Sequence, residues 1–185
     1  MSRWEPDARG RMIDAAMELF AEGGFERTTA GDIAQRAGVT ERTFFRHFAD
    51  KREVLFDGSR TLERTAYDAI VAAPAGASPL DAAVAGMAAG GALLEERREH
   101  AVRRSRIIAA NPGLQERELL KLAAMTVTAA EALRARGVGE PAAELAAHSA
   151  VTVFQLAFAR WIAAGEPPPF AVCVAETAEA LRALR

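Results

Sequence analysis

The stretch Thr28-Thr-Ala-Gly-Asp-Ile-Ala-Gln-Arg-Ala-Gly-Val-Thr-Glu-Arg-Thr-Phe-Phe-Arg-His-Phe48 decides how the chain is read. Two short helical segments flank Gly38-Val39, the tight turn that a helix-turn-helix requires. Thr29 is a good N-cap for the first segment, through Ala37, with Asp32 three residues on in a capping-box position. Thr40 caps the second, from Glu41 to about Phe48. Ile33, Ala34 and Val39 are the apolar positions that lock the pair against a preceding helix. Phe44 and Phe48 stand four apart and face the core together, leaving Arg42, Thr43, Arg46 and His47 outside.

Charge gathers on the same stretch. From Arg36 to Arg52 there are five basic residues (Arg36, Arg42, Arg46, Lys51, Arg52) against Glu41 and Asp50, a local +3. The whole 185-residue chain carries -2, so a nucleic-acid site has to be a local patch. Each residue also has a plainer reading. Thr29 and Thr40 would cap helices in a protein that never met DNA, and Arg46 and Lys51 could be solvated charges. Their coincidence on one motif favours DNA docking.

Outward from the motif, periodicity gives only helices. Pro6-Asp7 opens an amphipathic segment with Ile13, Ala16, Met17 and Phe20 on one face, closed by Gly23-Gly24. Asp50-Lys51-Arg52-Glu53 has the form of a capping box and predicts a long fourth helix to Ala73, before Pro74-Ala75-Gly76. Ser78-Pro79 starts a helix to about Glu96, and the charged stretch Glu95 to Arg106 leads into Ile107-Ile108. Asn111-Pro112 starts a helix ending at Gly137, Pro141 one to Gly165, and Phe170 a last one to Leu184. About nine helices and no strand predict an all-α fold. The expected division is a three-helix helix-turn-helix domain over 1–52 and a regulatory helical bundle over 53–185.

Composition narrows the function. Half of the chain is hydrophobic and 6% aromatic, so Ala, Leu, Val and Ile build the core. The single cysteine, Cys173, excludes an intrachain disulfide. No purely apolar stretch of about 18 residues suggests a membrane span, and the polar N-terminus lacks a secretory h-region; the expected location is cytoplasmic. His47, His100, His148 and Cys173 stand far apart, with no metal-ligand spacing and no glycine-rich phosphate loop. No catalytic residue, metal or cofactor is expected, and the chain does not read as an enzyme. The alternatives are a helical protein-interaction module without DNA binding, which leaves Arg42, Arg46 and Lys51 unexplained, and an all-α enzyme, for which no catalytic set is in view.

The spacing over residues 7–56 resembles the N-terminal domain of the TetR family of bacterial transcriptional regulators. The matching pieces are Ile13-x-x-Ala16-x-x-Leu19-Phe20, Gly24-Phe25-x-x-Thr28-Thr29, Asp32-Ile33-Ala34, Ala37-Gly38-Val39-Thr40, Thr43-Phe44-Phe45-Arg46-His47-Phe48 and Lys51-x-x-Val54-Leu55. The resemblance implies a phosphate contact for the Thr29 hydroxyl, and backbone or base-edge contacts for Thr40 and Thr43. It implies phosphate contacts for His47 and Lys51 as well. Two residues depart from the family pattern. Phe45 stands where Tyr is common, keeping only packing against sugar or a thymine methyl; Gly31 stands where a long polar side chain often reaches out. Arg42, in place of a frequent Gly, is the best candidate to hold a guanine O6/N7 edge.

For the rest of the chain the resemblance lies in helix count and order. It implies a homodimer placing two recognition helices ~34 Å apart on near-palindromic double-stranded operator DNA. It further implies a small-molecule effector whose binding releases that DNA, repression being the family default. A pocket between the helices over 79–96, 100–110 and 113–136 is expected, with Met87, Leu94, Ile108 and Met125 as lining residues. Arg104 either lies on a solvated face or neutralises an acidic effector. The helix after Pro141 has two apolar faces, one bulky (Ala147, Val151, Phe154, Phe158, Trp161) and one small (Ala146, Ala150, Val153, Ala157). The resemblance makes this helix and the last one the dimer interface, through Ala146, Ala150, Val153, Ala157, Phe158 and Trp161. The alternative puts both stripes in one protomer's core.

Overall fold

The structure is a computed structural model and describes residues 7–184; Pro6 and the polar residues before it lie outside the described residues. Among the described residues there are nine α-helices and no strand: α1 (Ala8–Gly23), α2 (Ala30–Arg36), α3 (Glu41–His47), α4 (Ser59–Ala72), α5 (Pro79–Ala92), α6 (Arg98–Ala109), α7 (Pro112–Ala135), α8 (Ala142–Ala163) and α9 (Phe170–Ala183). Single 3-10 turns lie at Glu53–Phe56 and Glu95–Arg97. The residues form two compact units. The first runs through Asp57 and takes in Arg103–Glu118; the second comprises Gly58–Val102 and the chain from Leu119 onward. This differs from a cut between 52 and 53.

In the first unit α1 buries Met12, Ile13, Ala16, Met17 and Phe20 against Ile33 and Ala34 of α2 and Phe44 of α3. Val54, Leu55 and Phe56 complete this core, together with Ile108 and Leu114 from the later segment. Each fully buried side chain of this size contributes roughly 1.5–3 kcal/mol of apolar burial. Gly38, at φ 69°, makes the turn between α2 and α3 that a side chain would strain, and the Val39 amide donates to the Ala34 carbonyl at 2.9 Å.

The long fourth helix expected from residue 50 does not form. Asp50 Oδ1 accepts from the amides of Arg52 (2.7 Å) and Glu53 (3.0 Å), as a cap should, but only one 3-10 turn follows. Three consecutive residues, Val54, Leu55 and Phe56, are all buried there, which a one-faced surface α-helix does not accomplish. Glu53 does not reach back to the cap; its Oε1 accepts from Arg117 at 2.8 and 2.5 Å. Asp57 is held by Arg9, Gly58 turns the chain at φ 88°, and α4 starts afresh at Ser59.

In the second unit α8 is central and packs on α5 and α9. Glycines bring α5 close to its neighbours: a Cβ on Gly86 would lie 2.8 Å from the Ala66 carbonyl oxygen, and one on Gly91 would overlap the Phe170 ring. The helix from Ser78-Pro79 ends at Ala92, short of Glu96, and the break serves other helix ends. Glu95 accepts from the Phe170 amide at the start of α9, while Arg98 donates to the Trp161 (3.1 Å) and Ala164 carbonyls at the end of α8. Arg136 closes α4 in the same way, donating to the carbonyls of Ile70, Val71, Ala73 and Pro74 at 2.5–3.1 Å. By length and composition α8 alone among the described helices could cross a membrane, although it is not purely apolar. Its buried face, from Ala143 to Trp161, packs inside the unit.

Candidate nucleic-acid interface

The candidate surface is built on α3, and α3 is fixed from below. Phe44 is fully buried and Phe48 nearly so, their rings 5.4 Å apart, which locks the helix's rotation about its own axis. Rotation then decides what faces out. Arg42 and Arg46, four residues apart, are exposed and make no ion pair among the described residues. Phe45 is 51% exposed, edge-on to Phe44, and His47 is half-buried beside the Phe48 ring. At the N-terminus of α3 the Thr43 amide donates to Thr40 Oγ1 at 3.2 Å, and the two hydroxyls lie 3.0 Å apart.

The start of α2 is a closed capping box. Thr29 Oγ1 accepts from the Asp32 amide (3.1 Å) and donates to Asp32 Oδ2 (2.7 Å), which also accepts from the Thr29 amide (2.8 Å). These bonds, the hydroxyl's first, hold the Asp32 carboxyl below the usual aspartate range. A phosphate contact by Thr29 has to coexist with that ionised neighbour.

Two charges counted toward the basic patch are committed elsewhere. Arg36 pairs with Glu18 (3.1 Å) and Glu22 (3.0 Å) of α1. Lys51 Nζ donates to three backbone carbonyls, of Phe25 (2.8 Å), Glu26 (3.2 Å) and Thr28 (2.9 Å), and lies 4.3 Å from the Phe25 ring centroid. Its ammonium is turned into the loop between α1 and α2. The uncommitted cations on this surface are Arg42, Arg46 and the exposed Arg52, and Glu41 is the anion among them.

The expected pocket residues separate. Met87 and Met125 are buried and Leu94 is half-buried in the second unit's core, whereas Ile108 belongs to the first core. Arg104 is also in the first unit: its Nε donates to the Leu55 carbonyl at 2.6 Å, it pairs with Glu118 at 3.0 Å, and it lies 4.9 Å from the Phe56 centroid. Burial pulls its pKa down from the usual arginine value, with Glu118 opposing. Arg104 thus holds the 3-10 turn. Of the expected dimer residues, Ala146, Ala150, Val153, Ala157 and Trp161 are buried within the protomer, and Phe158 is half-buried between Phe154 and Trp161. The outward apolar residues of α8 are Leu145 (64% exposed) and Leu156 (55%), with Val172 on α9.

Residues 12–57 match the family described as bacterial regulatory proteins, tetR family, over the whole of this helix-turn-helix. This stretch, a quarter of the chain, resembles the N-terminal domain of that family. A curated relative, the HTH-type transcriptional regulator TcmR of Streptomyces glaucescens, is 42% identical over 74 residues, 40% of this chain and 33% of that protein. The matched stretch thus spans about a third of that relative's length. Thermus thermophilus FadR, a transcriptional repressor solved with lauroyl-CoA, is 25% identical over 94% of this chain and 93% of its own, with a TM-score of 0.54. NalD of Pseudomonas aeruginosa, a secondary repressor of a multidrug efflux pump, is 18% identical over 96% of both chains at a TM-score of 0.63, a likeness of fold. These three proteins are named as transcriptional regulators or repressors.

Proposed function

We propose that this protein is a sequence-specific DNA-binding transcriptional regulator, a homodimer that represses from a near-palindromic operator and is released by a small-molecule effector. The observation that carries the DNA reading is the pair Arg42 and Arg46, exposed and without ion pairs on a short helix whose rotation Phe44 and Phe48 lock. Arginine presents a rigid fork of donors that matches guanine O6/N7 or phosphate oxygens. Phosphate contacts fix the register, and the base edge under Arg42 supplies the reading. Thr40, Thr43, Phe45 and His47 flank this pair on the same surface, and Thr29 caps the adjoining helix.

For the dimer, the supporting feature is the outward face of α8, where Leu145 and Leu156 lie exposed with Thr152 between them. Apolar side chains repeated along one exposed helix face fit a partner helix better than water. The effector is assigned to the second unit, among Met87, Leu94 and Met125, by analogy with FadR, which was solved with lauroyl-CoA. Release requires that the effector bind the DNA-free arrangement more tightly, since equal affinity shifts nothing.

Selection of bound duplexes from a random pool tests the reading, followed by affinity measurements across salt concentrations. A single enriched near-palindrome whose binding weakens steeply with salt is expected. No enrichment over the starting pool would overturn it.

A further inference from the structure

We infer that Glu41 reads a base: its carboxylate selects an exocyclic amino group in the major groove, cytosine N4 above all, at one position of each half-site. The inference rests on the DNA-binding reading and concerns the same surface. Glu41 is the first residue of α3, exposed, and without an ion pair among the described residues. Its carboxylate lies over α2: a Cβ built on Gly31 would sit 3.7 Å from Glu41 Oε2. Gly31 therefore leaves open the space that any long side chain at that position would contest. Arg42 does not neutralise it, because adjacent residues on a helix point in different directions.

A bare carboxylate on the face that meets a polyanion weakens binding to every sequence unless it finds a donor. In the major groove only the amino groups of cytosine (N4) and adenine (N6) donate. Adenine places N6 beside the acceptor N7, which repels a carboxylate, so cytosine suits it better. Guanine and thymine show acceptors alone and are rejected. Glu41 thus discriminates by repulsion as well as attraction. Arg42 asks for the opposite edge, O6 and N7 of guanine, and a single G·C pair offers both edges across the groove.

The test is random-pool selection with the full-length protein and with Glu41→Gln and Glu41→Ala, after thermal melts show that all three fold. The unmodified protein is expected to enrich cytosine at one position of each half-site by about tenfold over guanine or thymine. Glu41→Gln should move that preference to adenine, whose N6 and N7 an amide satisfies together. Glu41→Ala should level it and bind non-matching duplexes more tightly. Three identical enriched sequences, with affinities shifted uniformly, would overturn the inference and leave Glu41 a bystander charge. Failure of the unmodified protein to enrich any duplex would instead overturn the DNA-binding reading beneath it.

Discussion

Lys51 Nζ donates to the carbonyl oxygen of Thr28 at 2.9 Å, tying the segment that follows α3 to the start of α2. With the Phe25 and Glu26 carbonyls also bound, the ammonium staples the loop that carries the N-cap of α2. Lys51→Met should therefore lower the stability of the free protein by about 1.5–3 kcal/mol, the range for hydrogen bonds to a charged group. A denaturant titration without DNA checks this. A purely phosphate-binding lysine would leave that stability unchanged and reduce the salt slope by about one.

Arg42→Ala is expected to relax preference at one base step and weaken binding to the selected site by about 1–3 kcal/mol. Affinities for the selected duplex and its single-base variants separate this from a phosphate contact. A phosphate contact would weaken all of them equally.

The outward position of Leu156, set against the buried Ala150 one and a half turns earlier, distinguishes two kinds of damage on α8. Leu156→Glu should give a folded monomer by sedimentation at micromolar concentration, with its melting temperature little changed at the level of the protomer. Ala150→Leu should instead overpack the core and lower stability by about 1–3 kcal/mol. A Leu156→Glu variant that remains dimeric would move the interface elsewhere.

Asp32 and Asp81 set an acid limit. The Thr29 hydroxyl lowers the Asp32 pKa, and the Ser78 hydroxyl followed by Arg182 lowers that of Asp81. Because the folded-state values lie below the unfolded value of about 3.9, their stabilisation is present above that pH. It is lost as pH falls through the lowered values. Melting temperature should fall below about pH 4, and Asp81→Asn should flatten that part of the curve.

What the sequence made legible was what is settled within a few residues. Thr29 with Asp32, Thr40, and Ser78 with Pro79 mark helix starts within a few positions, so they located the beginnings of α2, α3 and α5. The outward placement of Arg42 and Arg46 followed equally from the i, i+4 pair Phe44 and Phe48. The break at Asp57-Gly58 was hidden because its partners are remote: Arg9 is 48 positions from Asp57, and Arg117 is 64 from Glu53. The bonds of Lys51 were hidden for the same reason, since a lysine that binds carbonyls 23 to 26 residues away reads like any surface lysine. On α8 the periodicity revealed two apolar faces but not that the protomer buries both of them.

The core of the DNA-docking unit is not continuous along the chain. Ile108 and Leu114 fill it from a segment some fifty residues beyond Asp57, and Arg104 and Arg117 fasten that segment to the 3-10 turn. A chimera that grafts only the first 57 residues onto another regulator would inherit a docking head with an unfilled hole. Residues 103–118 have to travel with it, so operator specificity here is not a portable cassette that recombination can move in one cut.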